Sequence, residues 1–175
     1  MNTMKIAAAA LAFCTSAAIV QAQEPRRVQG FSVLLLVGAT QGAAAPPENI
    51  SAPARKALAD IKDFLPYKSY RALDTVWVAG NDGGVSSGGF RTDTGPYHFT
   101  LRTFPRDLAA KPGTTDSALG RAKFTLVFQR PNEAPIPVLD SSFDLTVGDT
   151  VVVGTSRLQA DAALVILLTA VPANK

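Results

Sequence analysis

Few stretches of this chain carry residue types that could do chemistry. Asp93-Thr94-Gly95 is the triplet that, in acid peptide hydrolysis, supplies one of two carboxylates sharing a proton in a dry, rigid setting. That chemistry wants an apolar strand ahead of the Asp. Here Arg91-Thr92 precedes it and Pro96 follows, so the triplet reads as a polar turn between strands. His98 is the only histidine. A triad drawing on His98 with Asp93 or Asp74 is open on paper, but no Gly-x-Ser-x-Gly segment presents a serine. One histidine also cannot hold zinc without other strong ligands. The glycine-rich stretch Gly80 to Gly89 lacks a following Lys-Ser/Thr and a helix, so it does not cradle phosphate and is expected to be a flexible connection. Tyr67, Lys68, Tyr70 and Arg71 interleave aromatic and basic side chains. Such a surface suits an anion, a sugar or a partner peptide, and these four are the candidate binding residues. No catalytic residue, metal site or cofactor is assigned.

Composition narrows the setting. The chain has 175 residues, 47% hydrophobic and 18% charged, enough for one domain with a real core. Residues 1–22 read as a cleaved signal peptide. Lys5 gives the positive n-region, Ile6 to Val20 the apolar h-region, and Val20-Gln21-Ala22 the cleavage site. Cys14 is the only cysteine and lies inside the h-region, where Phe13 spoils any lipobox. The mature chain then has no thiol and no disulfide. The formal net charge of +3 falls to +2 when Lys5 is removed. The basic residues are scattered, which is no nucleic-acid footprint. The expected location is periplasmic or secreted, with no stable membrane insertion after cleavage.

The elements follow from patterning. Residues 23–29 are expected to be a flexible arm, and 30–173 a single α+β domain. Phe31 to Val37 is an unbroken apolar run, suited to a strand covered on both faces. A helix is expected over about 51–65, capped by Ser51 with Pro53 in its first turn and stopped by Pro66. Ala54, Leu58, Ile61 and Leu65 form its apolar stripe. A second strand is expected over Tyr67 to Val78, making a strand–helix–strand unit whose crossover would be right-handed if those strands were parallel. Further strands are expected over Tyr97 to Phe104, Arg121 to Arg130, Phe143 to Val147, Thr150 to Val153 and Ala163 to Val171. Loops are expected over Lys111 to Ala118 and Pro131 to Pro137, and tight turns at Gly148-Asp149 and Leu158 to Ala162. The helix should pack on a mostly antiparallel sheet of about six to eight strands, with a split into two layers left open. The expected core comprises Val33, Leu35, Leu58, Ile61, Leu65, Trp77, Phe124, Leu126, Phe128, Leu145, Val152, Val165 and Leu167.

Gly148-Asp149-Thr150-Val151-Val152-Val153-Gly154, with the apolar run that ends at Thr169, resembles the strand pair in the C-terminal part of bacterial secretins. The resemblance covers about an eighth of the chain. It implies a periplasmic module associated with envelope assembly and carries over no catalytic residue. With export and without a catalytic constellation, the expected function is a non-enzymatic periplasmic binding or assembly module of the bacterial cell envelope. Its expected partner is an envelope protein, not nucleic acid, held at an unpaired sheet edge near Tyr67 to Arg71 or at Thr150 to Val153. Two alternatives stand beside it. One is a small exported hydrolase using His98 with a nearby carboxylate, and the other is a small-ligand carrier with an apolar cavity against the sheet.

Overall fold

In the computed structural model, which describes residues 28–41, 50–80, 83–105, 118–158 and 161–173, one helix accompanies eight strands. In chain order these are β1 (Val28–Ala39), α1 (Ala52–Ile61), β2 (Ser69–Ala79), β3 (Val85–Thr92) and β4 (Gly95–Pro105). They continue as β5 (Ala118–Phe128), β6 (Ile136–Thr146), β7 (Thr150–Arg157) and β8 (Ala162–Pro172). The α+β class stands, but the expected single sheet is two antiparallel four-stranded sheets, ordered β2-β1-β8-β7 and β3-β4-β5-β6. The signal peptide and the Loop 111–118 up to residue 117 lie outside the described residues. So does most of the expected arm, whose last two residues instead open β1.

The division into two sheets follows from which strands have two apolar faces. In β8 every residue from Ala163 to Leu168 is buried. Such a strand needs cover on both sides and takes a central place, between β1 and β7. One face of this sheet packs against the β3–β6 sheet, and α1 lies on the other. The β3–β6 sheet is a meander with one dry face. On β5, Ala122, Phe124 and Leu126 are buried while Arg121 is exposed. The molecule is thus three layers, helix on sheet on sheet.

Between the sheets, Phe31, Val33 and Leu35 of β1 and Leu164, Ile166 and Leu168 of β8 meet Phe90, Phe99, Leu101, Phe124, Leu126 and Leu145. The Phe99 ring stands 5.2 Å from Phe90 and stacks on Phe124 at 5.5 Å and 15°. Each such side chain contributes about 1.5–3 kcal/mol through burial. The smaller core joins Leu34, Leu36, Val165 and Leu167 to Ile50, Ala54 and Leu58.

The helix begins where its cap dictates. Ser51 Oγ accepts from the Ala54 amide at 3.4 Å, and a proline sits in the first turn. It ends at Ile61, with Lys62 as its C-cap, instead of reaching Leu65. Pro66 has no N–H to offer the Lys62 carbonyl, and its ring would collide there. Ile61 and Leu65 are consequently only half-buried. The strands flanking the helix are antiparallel neighbours, so no parallel crossover is formed. A bulge between Leu35 and Leu36 leaves Leu73 as the extra residue of β2.

Three more expectations are corrected. Of the stretch Gly80 to Gly89, expected to be a flexible connection, Val85–Gly89 is strand. A Cβ on Gly88 would stand 2.6 Å from the Phe99 ring, so glycine is there for close packing and not for flexibility. Trp77, expected in the core, is 53% exposed. Strand β6 starts at Ile136, inside the expected proline-rich connection, and Pro137 is tolerated because β6 is an edge strand.

Candidate functional site

The four candidate binding residues straddle the start of β2, an edge strand. Tyr67 and Tyr70 are half-buried against the helix-side core, with ring centroids 6.3 Å apart in an edge-to-face pair. Tyr67 lies across Gly38 of β1, where a Cβ would come within 2.8 Å of the ring. The Tyr70 phenolic oxygen is buried and makes no hydrogen bond. Burial, and to a lesser degree the Tyr67 phenol, holds its pKa above the ordinary tyrosine value. Lys68 and Arg71 are exposed. The structure therefore gathers the four at one corner, with two aromatic bodies fixed by packing and two cations in solvent.

Four sheet edges exist, and they differ. Edge β3 is tied to β2: the Arg91 amide donates to Asp74 Oδ2 at 3.0 Å, and Ser86 Oγ donates to the Ala79 carbonyl at 3.0 Å. Edge β6 carries Pro137. Edge β7 is bulged between Val152 and Gly154, and Leu139 of β6 packs against Gly154. These are familiar ways of blunting an edge. On β2 the stretch Ser69–Ala72 has a regular register with Ala39–Leu36. It contains no proline, glycine or bulge, and β3 ends at Thr92, just past the Asp74 contact.

His98, Asp93 and Asp74 do not converge. His98 is exposed, and its cross-strand neighbours are Gly89 and Val127, which offer neither carboxylate nor hydroxyl. Asp93 lies exposed in the β3–β4 turn. Both oxygens of Asp74 accept from backbone amides, those of Thr75 and Arg91. Among the described residues no group of three His, Cys, Asp or Glu is placed to hold a metal ion. No helix among them is long and apolar enough to cross a membrane. Between the sheets the described core residues, among them Phe90, Phe99 and Phe124, pack on one another.

A second feature lies on the helix-covered face of the β2-β1-β8-β7 sheet, beyond the N-terminal turn of α1. Trp77, Ser32, Thr169 and Thr150 are consecutive cross-strand partners, one from each strand. Beside this row a shallow cleft of about 150 Å³ is lined by Ser32, Thr75 and Thr169, with Leu34, Ile50 and Ala54 among its apolar walls.

Comparison with protein-family models, curated proteins and solved structures gives no match. The site must be read from its own residues.

Sequence patterning singled out the Tyr67–Arg71 corner as a composition, but it passed over the row on the helix side. Its members are a strand tryptophan and single hydroxyl residues, each ordinary in a sheet. The one available signal was Gly30. A glycine in an apolar strand marks a close approach by another group, and here that group is the Trp77 indole.

Proposed function

We propose that this chain is a non-enzymatic binding module of the bacterial envelope, which holds an extended segment of a partner protein along Ser69–Ala72 of β2. The observation that carries this reading is the contrast among the four edges. Edge β3 is tied, β6 carries a proline and β7 is bulged; β2 is itself tied at Asp74 and Ala79 and bulged at Leu73, but before these its Ser69–Ala72 stretch has no tie, proline or bulge. An added strand would gain main-chain hydrogen bonds from that edge. Tyr67 and Tyr70 supply rigid contact area beside it, and Lys68 and Arg71 favour an acidic segment. The β7–β8 hairpin, with its secretin-like sequence, sits at the opposite side of the same sheet. An exported protein with such an edge fits a role in assembling envelope components. The hydrolase alternative draws less support, since His98 is exposed and its direct cross-strand partners are Gly89 and Val127.

The test is cross-linking of the mature protein in intact envelopes, followed by affinity capture. A single stoichiometric envelope protein should be recovered. The double variant Lys68→Glu, Arg71→Glu should recover it at least several-fold less well while its circular dichroism is unchanged. Recovery of the chain alone and monomeric, or equal capture by the variant, would contradict the reading.

A further inference from the structure

Trp77 is the only tryptophan, and it is spent on the surface. Its indole lies across Gly30 of β1, where a Cβ would come within 2.6 Å of Cζ2 and 2.9 Å of Cε2. One face of the ring is thus applied to the sheet backbone, and half of the side chain's area faces solvent. A fixed, open aromatic face is a platform for a flat apolar surface or for a cation.

The surroundings decide between these. From Trp77 the row runs through Ser32 and Thr169 to Thr150. At the spacing of neighbouring strands it spans about 14 Å. The Ser32 and Thr75 hydroxyls make no hydrogen bond among the described residues, so both are available as donors and acceptors. Thr150 and Thr169 bond one another at 2.7 Å, leaving acceptor capacity on both. The remaining cleft walls are the apolar Leu34, Ile50, Ala54 and Leu167 and the helix cap Ser51, whose Oγ accepts from the Ala54 amide. Among the described residues no ionisable side chain belongs to the row or lines the cleft. Such a site offers a charged ligand nothing to pair with, and burying an unpaired charge is costly. It suits a neutral molecule with an apolar face for the indole and hydroxyl groups along its rim. The cleft is well below the volume of a drug-sized pocket, which limits the ligand to a single ring there, with any extension lying along the open row.

We propose that Trp77, Ser32, Thr75 and Thr169 form a binding site for a neutral saccharide. One pyranose ring stacks its C–H face on the indole, and its hydroxyls bond to the hydroxyl row. The site uses the face of the sheet, not its edge, and does not depend on the protein-docking reading above.

Because the chain has one tryptophan, intrinsic fluorescence reports on this site alone. The mature protein is titrated with maltotriose and, separately, with tri-N-acetylchitotriose. At least one should change the emission saturably. By calorimetry, Trp77→Ala should weaken that binding at least tenfold, and Thr75→Val several-fold. The Lys68→Glu, Arg71→Glu variant should bind as the parent does. Circular dichroism of Trp77→Ala should match the parent, since the side chain is largely outside the core. The absence of a saturable response to both sugars would overturn the proposal, as would undiminished binding by Trp77→Ala. Shielding of Trp77 that depends on protein concentration, without sugar, would assign the platform to a second copy of the chain and overturn it too.

Discussion

The Asp74 carboxylate joins strands of different sheets: Oδ2 accepts the Arg91 amide of β3 at 3.0 Å, and Oδ1 accepts the amide of its own neighbour Thr75 at 2.8 Å. Asp74 follows the bulged Leu73, and the bulge and the tie together mark where β2 and β3 part. Hydrogen bonds to a charged acceptor are stronger than neutral ones, and Asp74 makes two. Asp74→Ala should lower stability by about 1–2 kcal/mol in urea unfolding at neutral pH. Asp74→Asn, which keeps one carbonyl acceptor, should cost less. No change in either would mean that the sheets hold their junction by apolar packing alone.

The aromatic stack should be the least forgiving part of the molecule. Phe99 lies between Phe90 and Phe124 and is almost fully buried. Phe99→Ala should cost about 3–5 kcal/mol. Gly88→Ala adds only one methyl group, yet its Cβ would stand 2.6 Å from the Phe99 ring. Overpacking of this kind costs about 1–3 kcal/mol. Thermal melts of the two variants check both values. A Gly88→Ala protein as stable as the parent would show that β3 can shift away from β4.

Trp77 gives a sharp contrast between sequence pattern and structure. A core tryptophan truncated to alanine costs about 3–5 kcal/mol. With its side chain 53% exposed, Trp77→Ala should cost about 1 kcal/mol, mainly the contact with Gly30. The parent's tryptophan emission should be that of a solvent-exposed indole, readily quenched by acrylamide. Emission from a shielded indole in the dilute monomer would contradict its placement.

Tyr70 makes the stability depend on alkaline pH. The folded chain holds the Tyr70 proton more tightly than the unfolded chain, because burial, with a smaller part from Tyr67, raises its pKa. The stability linked to that proton is complete below the ordinary tyrosine value of about 10 and is lost as pH rises through the raised one. The hydroxyl also has no hydrogen-bond partner. Tyr70→Phe should therefore be more stable than the parent by about 1 kcal/mol at neutral pH. It should also lose less stability above about pH 10. Denaturant unfolding at neutral and alkaline pH measures both.

The sequence reveals most of the elements because their signals are local. Ser51 caps the helix, Ala122, Phe124 and Leu126 alternate on β5, and the unbroken run around Val165 marks a strand buried on both faces. What it conceals depends on neighbours distant in the chain. Gly88 looks like loop composition until the Phe99 ring is seen to need the space. Trp77 looks like core because aromatic strand residues usually are, whereas its ring instead covers Gly30. The split into two sheets is set by pairings such as Leu34 with Leu167, far apart in the chain, which no local pattern encodes. The Tyr67–Arg71 corner was legible as a composition. Its position at the start of an edge strand was not, since edge or centre is a property of strand order.

The most direct measurement is site-specific photo-cross-linking in intact envelopes. A photoreactive side chain replaces Arg71 at the β2 edge in one variant, and Ser142, exposed on β6 of the other sheet, in a second. Docking along Ser69–Ala72 predicts one discrete protein adduct from position 71 and none from position 142. No adduct from position 71 in a folded protein, or the same adduct from both positions, would contradict it.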